Sequence, residues 1–387
     1  MTHQRTSLGL YIHIPFCKQK CLYCDFYSLA GNEARMDAYT TALRAHLKAA
    51  APSAAGYAVD TVYFGGGTPS YLEPERLTAI LDTVFRHYSV TPGAEITLEA
   101  NPDSAGDPAD LRQLRSAGFN RISLGMQSAD AAELAAMGRI HTPEQVRQVV
   151  DAARDADFEN LSLDLIYGLP GQTMERWAAN LAAAVALTPE HLSCYGLKVE
   201  DGTPLFARRK EFVFPDDEAQ ADLYLSTVDT LAQAGYHQYE ISNFARPGRE
   251  SRHNLKYWTL GEYLGFGPGA HSDFRGCRFA LDRSLDRYLA SPGDPKALLS
   301  EQETPSPAER AGEWLMLGLR TVAGLDPAEF RRCFQRDFAP LLPFLDQCRQ
   351  AGYAVLEAGR WHLTPRGFLL SNQIIGELLD RLPPEQD

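Results

Sequence analysis

The segment YIHIPFCKQKCLYCDF, residues 11–26, places Cys17, Cys21 and Cys24 directly after an apolar run that is typical of a β-strand. The whole chain has seven cysteines, so nearly half of them fall in this one loop. Three thiols cannot all pair with one another in disulfides, so the loop is a candidate for metal binding or for another thiol chemistry. The choice depends on the surrounding sequence.

The composition is that of an ordinary globular protein. The 387 residues are 44% hydrophobic and 22% charged, and the formal charge of −13 argues against a nucleic-acid partner. Seven cysteines in this length do not form a disulfide framework. The apolar runs are far shorter than the ~20 residues of a membrane span, and the N-terminus lacks the features of a signal peptide. We therefore expect a cytoplasmic protein with reduced thiols.

Short β-rich runs alternate with amphipathic helical stretches through the first part of the chain. This alternation is typical of βαβ units around a parallel sheet. About six units are visible, fewer than the eight of a closed barrel. We therefore predict an α/β protein built on a partial (β/α)6 barrel similar to a TIM barrel. Its strands are expected at residues 8–14, 60–66, 95–101, 121–127, 161–168 and 191–199, with a further strand at 236–245.

The character of the sequence changes near its C-terminal quarter. A connector containing Pro and Ser, residues 291–309, is followed by predicted helices, a small hairpin and a final helix at 365–379. This order is typical of a winged-helix-like module, but the segment is not basic enough for DNA binding. We predict a core at 1–240, a barrel extension with the connector at 241–300, and a small helical domain at 301–387.

Polar side chains stand at or near the ends of the predicted strands. Glu99, Gln127 and Asp164 each lie among apolar neighbours, and GGGTP follows the second strand at residues 65–69. In a parallel α/β sheet the loops after the strands form the functional edge. A buried polar group needs a partner, which is either a bound ligand or, for the two carboxylates, the start of the next helix.

The C-x3-C-x2-C spacing favours an iron–sulfur cluster. Structural zinc commonly takes four ligands in two pairs, and no second pair follows here. Three thiolates on a [4Fe–4S] cluster leave one iron open to another ligand. We predict that Cys17, Cys21 and Cys24 hold such a cluster, with zinc or an incidental grouping as the alternatives. The other cysteines have no ligand-like spacing and are expected to be packed thiols: Cys194, Cys277, Cys333 and Cys348.

CKQKCLYC and GGGTP together resemble the radical S-adenosylmethionine (SAM) superfamily, in which the open iron chelates the amino and carboxylate groups of SAM. YIHIPFC, GGGTPS, LGMQS and LDLIYGLPGQT are similar to motifs of the coproporphyrinogen III dehydrogenase/HemW group. The resemblance covers nearly the whole chain and implies a radical SAM barrel with a HemN-type C-terminal domain. It implies SAM binding by Tyr11, Gly66, Gly67, Thr68, Glu99, Gln127, Arg139 and Asp164.

Arg139 suits the SAM carboxylate because a guanidinium can bind a carboxylate through two hydrogen bonds. The alternative for Arg139 is a surface ion pair.

Two departures separate this chain from the dehydrogenases of the group. Those enzymes carry a fourth cysteine two residues after the third, where this chain has Phe26, and a longer N-terminal extension. HNLKYW, residues 253–258, is similar to the HNxxYW signature of HemW-type heme chaperones. The resemblance therefore implies a heme chaperone that delivers heme to apo-hemoproteins. The alternatives are an oxygen-independent coproporphyrinogen III dehydrogenase and a radical enzyme with another substrate.

The signature predicts a heme contact. Imidazole is a common axial ligand of heme iron, which makes His253 the expected ligand and His271 a second candidate. Tyr257 and Trp258 offer flat faces to a macrocycle. The alternative for His253 is a hydrogen-bonded core histidine. Basic residues expected to pair with the heme propionates are Arg246, Arg249, Arg252 and Lys256. The sequence leaves a homodimer and a peripheral membrane contact open.

Overall fold

The structure is a computed structural model that describes residues 6–30, 33–291 and 293–382. The outer ends of the predicted first and third domains, residues 1–5 and 383–387, lie outside the described residues. The described strands are β1 (Ser7–Ile14), β2 (Phe16–Cys17), β3 (Leu29–Ala30), β4 (Ala58–Gly66), β5 (Val90–Ala100), β6 (Arg121–Gln127), β7 (Leu161–Tyr167), β8 (His191–Gly196), β9 (His237–Gln238), β10 (Asn243–Ala245), β11 (Tyr263–Phe266), β12 (His271–Phe274), β13 (Cys277–Leu281), β14 (Leu299–Glu303), β15 (Ala354–Glu357) and β16 (Arg360–Leu363). The described α-helices are α1 (Glu33–Ala50), α2 (Pro74–His87), α3 (Pro108–Ala117), α4 (Ala131–Ala136), α5 (Pro143–Asp155), α6 (Met174–Ala186), α7 (Pro204–Ala207), α8 (Asp217–Gln233), α9 (Arg252–Trp258), α10 (Leu285–Ala290), α11 (Pro307–Gly318), α12 (Pro327–Phe334), α13 (Leu342–Gln350), α14 (Pro365–Leu369) and α15 (Ser371–Leu379).

A twelve-stranded sheet, counted over the described residues, forms the centre of the molecule, in the order β14-β13-β12-β11-β1-β4-β5-β6-β7-β8-β10-β9. Strands β1, β4, β5, β6, β7 and β8 are parallel and lie side by side in chain order. This arrangement confirms the predicted partial (β/α)6 architecture. The paired strands end at β14 on one side and β9 on the other, so the described sheet is not closed into a barrel.

Three of the helices between the parallel strands, α3, α5 and α6, begin at a residue whose side chain caps the helix. Thr142 and Gln145 form a reciprocal capping box at the start of α5. Asp107 caps α3 and Thr173 caps α6 through their side-chain oxygens. The buried faces of these helices, including Leu77 of α2, join the strands in one large hydrophobic core.

The segment predicted as one strand at 236–245 is two short antiparallel strands, β9 and β10. Glu240 lies between them, and its carboxylate accepts hydrogen bonds from the Ser242 amide and the Asn243 side chain. These bonds hold the chain in a turn, which is why the strand does not continue.

The extension after α9 widens the sheet on the β1 side. Strand β11 pairs parallel with β1, and β12, β13 and β14 follow as antiparallel neighbours. Strand β14 lies in the segment that we expected to be only a connector.

The C-terminal part has its own core, in which helices α11–α13, the β15–β16 hairpin and helices α14–α15 follow in the predicted order. The final helix is interrupted at Leu370, which divides it into α14 and α15. Tyr224 of α8 belongs to the same core. The Ile241 amide donates to the Arg320 carbonyl at 2.9 Å, so backbone and side-chain contacts both join this domain to the β8–β10 side of the sheet.

Candidate cofactor and ligand site

A cavity of about 1040 Å³ opens at the carboxyl ends of the parallel strands. Its walls come from the strand ends, the cysteine loop, helix α9 and the C-terminal domain. Most of the site residues predicted from the sequence line it: Cys17, Cys21, Cys24, Gly66, Gly67, Thr68, Glu99, Gln127, Arg139 and Asp164. Tyr11 and His253 do not belong to the lining.

The cysteine loop, residues 17–28, is held at its base and in its middle. Strands β2 and β3 pair across its base. The Leu22 amide donates to the Met137 carbonyl, and the Leu22 carbonyl accepts from the Leu205 amide. Leu22 and Tyr23 also pack against a small apolar cluster that contains Met137 and Leu205. These contacts hold the three thiols on one wall of the cavity.

The donors around the thiols suit a metal-bound thiolate. Thr68 donates to the Cys17 sulfur at 3.3 Å, and Arg139 donates to the Cys21 sulfur at 3.3 Å. Burial is the main reason that the pKa of the Cys17 and Cys24 thiols lies above its ordinary value. A bound metal cation would lower this pKa because it stabilises the thiolate. Within the described residues no three His, Cys, Asp or Glu side chains already converge on one metal-sized point.

Arg139 is held inside the site. Its Nη2 donates to the Asn101 side-chain oxygen at 3.0 Å and to the Gly125 carbonyl at 2.9 Å. A Cβ at Gly125 would lie 2.6 Å from Nη2, so only glycine leaves room for this approach. The partners of the guanidinium are a sulfur, an amide oxygen and a carbonyl, which excludes the surface ion pair as its role here.

The two strand-end carboxylates face the cavity and do not cap the following helices. Glu99 accepts a 2.7 Å hydrogen bond from the Tyr63 hydroxyl and a 3.1 Å bond from the Gly66 amide. Burial raises the pKa of Glu99 to about 7. Asp164 accepts from Ser123 at 3.1 Å, and burial also raises the pKa of Asp164. Because α3 and α6 are capped by other residues, helix capping does not explain these carboxylates.

The backbone at the strand ends is shaped for a ligand. Gly66 has a φ of 111°, a left-handed conformation that glycine adopts without strain. Gln127 has a φ of 61° at the end of β6, where the pairing with β7 is shifted. A left-handed glutamine costs on the order of 1 kcal/mol, and such strain is common at ligand sites.

Arg121 is a cavity residue that the sequence interpretation missed. Its side chain is 1% exposed and lies near Glu99 and Asp164. Its positive charge lowers the pKa of both carboxylates and so offsets part of the rise that burial causes. The Nε atoms of Arg121 and Arg139 have no hydrogen-bond partner in the described part of the chain. A ligand with a carboxylate would satisfy such buried donors, so the residues present fit an amino-acid group such as that of SAM.

Tyr11 lies one layer behind the cavity. Its ring stacks on Tyr63 with centroids 6.2 Å apart, and its hydroxyl is hydrogen-bonded to His13 at 3.1 Å. A Cβ at Gly65 would touch both Tyr11 and Glu99 at 3.1 Å. Tyr11 therefore supports the wall that holds Glu99 instead of lining it.

The HNLKYW helix has a buried side and a cavity side. His253 is 1% exposed, and its ring nitrogens are hydrogen-bonded to Thr61 at 2.8 Å and to Tyr257 at 2.9 Å. Burial lowers the pKa of His253 to about 3. Iron ligation by His253 would require one of these bonds to break, and it stays a prediction.

Asn254 and Trp258 are the signature residues that reach the cavity. They lie four residues apart, which places them on one face of α9. Assigning HNLKYW to a helix would have grouped Asn254 with Trp258 and His253 with Tyr257, but not shown which pair faces the cavity. His271, the second candidate for iron ligation, is an exposed residue of β12 and lies outside the cavity lining.

The basic residues expected to bind propionates have other partners. Lys256 forms an ion pair with Asp60 at 2.8 Å, and Arg252 donates to the Gly93 carbonyl at 2.9 Å. None of Arg246, Arg249, Arg252 and Lys256 lines the cavity. Further cations of the lining are Lys20, Lys198 and Arg320, and none of them was assigned to the site from the sequence.

Comparisons with known proteins agree with this architecture. The family model of the Radical SAM superfamily matches residues 11–183, and that of the HemN C-terminal domain matches residues 306–370. The heme chaperone HemW of Bacillus subtilis (strain 168) is 35% identical over 379 residues, which cover 96% of this chain and 99% of that protein. The heme chaperone HemW of Escherichia coli (strain K12) is 36% identical over 379 residues, covering 95% and 97%.

A solved structure shows the same fold. The coproporphyrinogen III oxidase HemN of Escherichia coli, a radical SAM enzyme, has a TM-score of 0.84 at 25% sequence identity, covering 97% of this chain and 90% of that chain. Among the described helices, none has the length and apolar character that crossing a membrane requires. The chain belongs to the HemW family of heme chaperones within the radical SAM superfamily.

Proposed function

We propose that this protein is a heme chaperone that binds heme in the cavity at the carboxyl edge of the sheet and delivers it to apo-hemoproteins. The observation that carries the proposal is that helix α9 presents Asn254 and Trp258 of the signature to the same cavity as the three cysteines. An indole face suits a flat apolar macrocycle. The full-length similarity to two heme chaperones supports the same function.

The proposal includes a [4Fe–4S] cluster on Cys17, Cys21 and Cys24, with SAM at the strand ends. When bound, such a cluster supplies a redox centre and one iron that is open to a further ligand. Thr68 and Arg139 would donate hydrogen bonds to the thiolate sulfurs of Cys17 and Cys21, and the second Nη of Arg139 stays anchored on Gly125. Glu99, Gln127 and Asp164 would orient the polar groups of SAM.

A second candidate function is oxygen-independent coproporphyrinogen III dehydrogenase. The observation that favours it is the structural likeness to the oxidase HemN. The observation against it is Phe26, which lines the cavity with 64% of its surface exposed, at the position where the resemblance expects a fourth cysteine in dehydrogenases. We therefore place the chaperone first.

One experiment separates the two functions. The full chain is reconstituted with iron and sulfide without oxygen, and heme and coproporphyrinogen III are offered in separate samples with SAM and a reductant. The chaperone gives a Soret band that saturates with heme and no decarboxylated product. Steady formation of the doubly decarboxylated product would establish the dehydrogenase instead.

The compartment and partners follow from the same proposal. The seven cysteines are free thiols, which suits the reducing cytoplasm. The recipients are apo-hemoproteins, and the charge of −13 opposes a nucleic-acid partner.

A further inference from the structure

Among the cations that line the cavity, Lys198 and Arg320 belong neither to the cysteine loop, which carries Lys20, nor to the strand ends around Arg121 and Arg139. Lys198 lies just after β8, and Arg320 lies just after α11 in the C-terminal domain. The Arg320 side chain donates to the Asn372 side-chain oxygen at 2.9 Å. Neither cation forms an ion pair with a described residue. Glu200 also reaches the cavity, but it is not paired with Lys198 in this structure.

Arg320 differs from the partly buried arginines around α11, which are paired with carboxylates. Arg310 and Arg278 are bound by the carboxylates of Asp273 and Glu313. The hydrogen bond to Asp273 is the main reason that the pKa of Arg310 is raised, whereas burial lowers the pKa of Arg320 because no carboxylate compensates. An anionic ligand at Arg320 would offset this cost of burial.

Apolar side chains also line this cavity. Tyr195 is 41% exposed and Leu369 is 40% exposed, although both are cavity residues. Trp258 and Phe368 add further aromatic surface. The cavity of about 1040 Å³ slightly exceeds the roughly 300–1,000 Å³ of small-molecule pockets, so it has room beyond the SAM site.

We propose that Lys198 and Arg320 bind the two propionates of heme, while its ring lies against Trp258, Tyr195 and Leu369. The pairing of two cations with a flat apolar surface matches a dicarboxylate macrocycle. The inference rests on the proposed function and adds the residues that recognise the cargo. It makes the C-terminal domain a part of the heme site, because that domain supplies Arg320 and Leu369.

The test compares heme with its dimethyl ester, in which both propionate charges are removed. Both ligands are titrated into the reconstituted full chain and into Lys198→Gln, Arg320→Gln and Arg320→Lys. Lys210→Gln is the matched control, because Lys210 is exposed and lies outside the cavity lining. SAM binding is measured on every variant.

We expect Arg320→Gln to weaken heme binding about tenfold and Lys198→Gln, which is more exposed, about threefold. Arg320→Lys should recover most of the loss, and the ester should bind all variants alike. SAM binding should not change. If heme binds the Gln variants as tightly as the unchanged chain, or if the ester responds as heme does, the propionate assignment is wrong. If the unchanged chain binds no heme, the proposed function itself fails.

Discussion

The His253 ring lies stacked on the Tyr63 ring, with centroids 5.1 Å apart and planes inclined by 23°. Tyr63 donates its hydroxyl to Glu99, so the buried side of the signature helix is connected to a carboxylate of the predicted SAM site. Glu95 holds the start of the same helix by accepting the amides of Arg252 and His253. His253 therefore has the contacts of a positioning residue for the cavity wall.

This connection predicts that His253→Ala weakens SAM binding and leaves the Soret band of bound heme in place. The substitution should also lower the free energy of unfolding by about 1–3 kcal/mol, because Thr61 loses a buried partner. His253→Gln can keep one hydrogen bond and should recover part of both losses. SAM affinity by equilibrium dialysis and heme absorbance report the two sites separately. A shifted Soret band with unchanged SAM affinity in His253→Ala would make His253 the iron ligand after all. His87→Ala, which changes an exposed histidine at the end of α2 outside the cavity lining, serves as the matched control.

The cysteine loop predicts which thiols hold iron. Cys17→Ser should abolish the broad iron–sulfur absorbance after reconstitution, because two thiolates are too few to hold the cluster. Cys333→Ser changes an exposed thiol far from this loop in sequence and should leave the absorbance unchanged. Equal loss of iron in both variants would rule out the assignment to the loop.

Arg139 offers a test of the SAM carboxylate. Its Nη atoms are held by Cys21, Asn101 and Gly125, so the guanidinium has a fixed orientation. We expect Arg139→Gln to lower SAM affinity by about 10- to 100-fold, with no recovery in Arg139→Lys, which lacks the planar fork. Arg147→Gln changes a surface arginine and is the control. Normal SAM affinity in Arg139→Lys would show that charge alone is sufficient.

Glu240 predicts a pH dependence of stability. Burial raises the pKa of Glu240 from 4.5 to about 7, so the folded chain binds this proton more tightly than the unfolded chain. Below pH 4.5 this tighter proton binding stabilises the folded chain by on the order of 3 kcal/mol. The stabilisation is lost as the pH rises through about 7. Glu240→Gln cannot ionise. Its free energy of unfolding, relative to that of the unchanged chain, should therefore rise between pH 5 and pH 8.

Buried histidines titrate in the opposite sense and do not obscure this comparison. Burial lowers the pKa of His46 to about 4, so its contribution is present above pH 6.5 and is lost as the pH falls through 4. Both proteins share this effect, and it cancels in the difference between their denaturant unfolding curves. A difference that stays constant from pH 5 to pH 8 would contradict the assignment to Glu240.

Much of the fold could be predicted from the sequence because the parallel strands are largely apolar runs and several of the helices after them begin at a capping residue. The strand ends were predictable for the same reason, since Glu99, Gln127 and Asp164 interrupt those runs. Strand β14 was missed because its Ser and Glu side chains are mostly exposed at the edge of the sheet. The division of 236–245 was missed because it depends on the Glu240 turn, which follows from side-chain contacts.

The cavity lining was harder to predict where it depends on distant parts of the chain. Arg121 stands at the start of β6 and gives no local signal that its guanidinium extends to the cavity. Arg320 lies in another domain, and only the packing of that domain on the sheet brings it to the same cavity as Lys198. A lone histidine in a motif suggests a ligand, whereas the structure shows that His253 is in the core and its helical neighbours Asn254 and Trp258 face the site.

The most direct test of the central claim is the rate at which the heme-loaded, reconstituted chain transfers heme to the apo form of a b-type cytochrome. Apomyoglobin, a general heme acceptor, reports the rate of spontaneous heme release. A chaperone that contacts its recipient predicts a transfer rate that rises with the concentration of apocytochrome and exceeds the rate measured with apomyoglobin. A rate that is independent of the apocytochrome concentration and equal to spontaneous release would contradict the account.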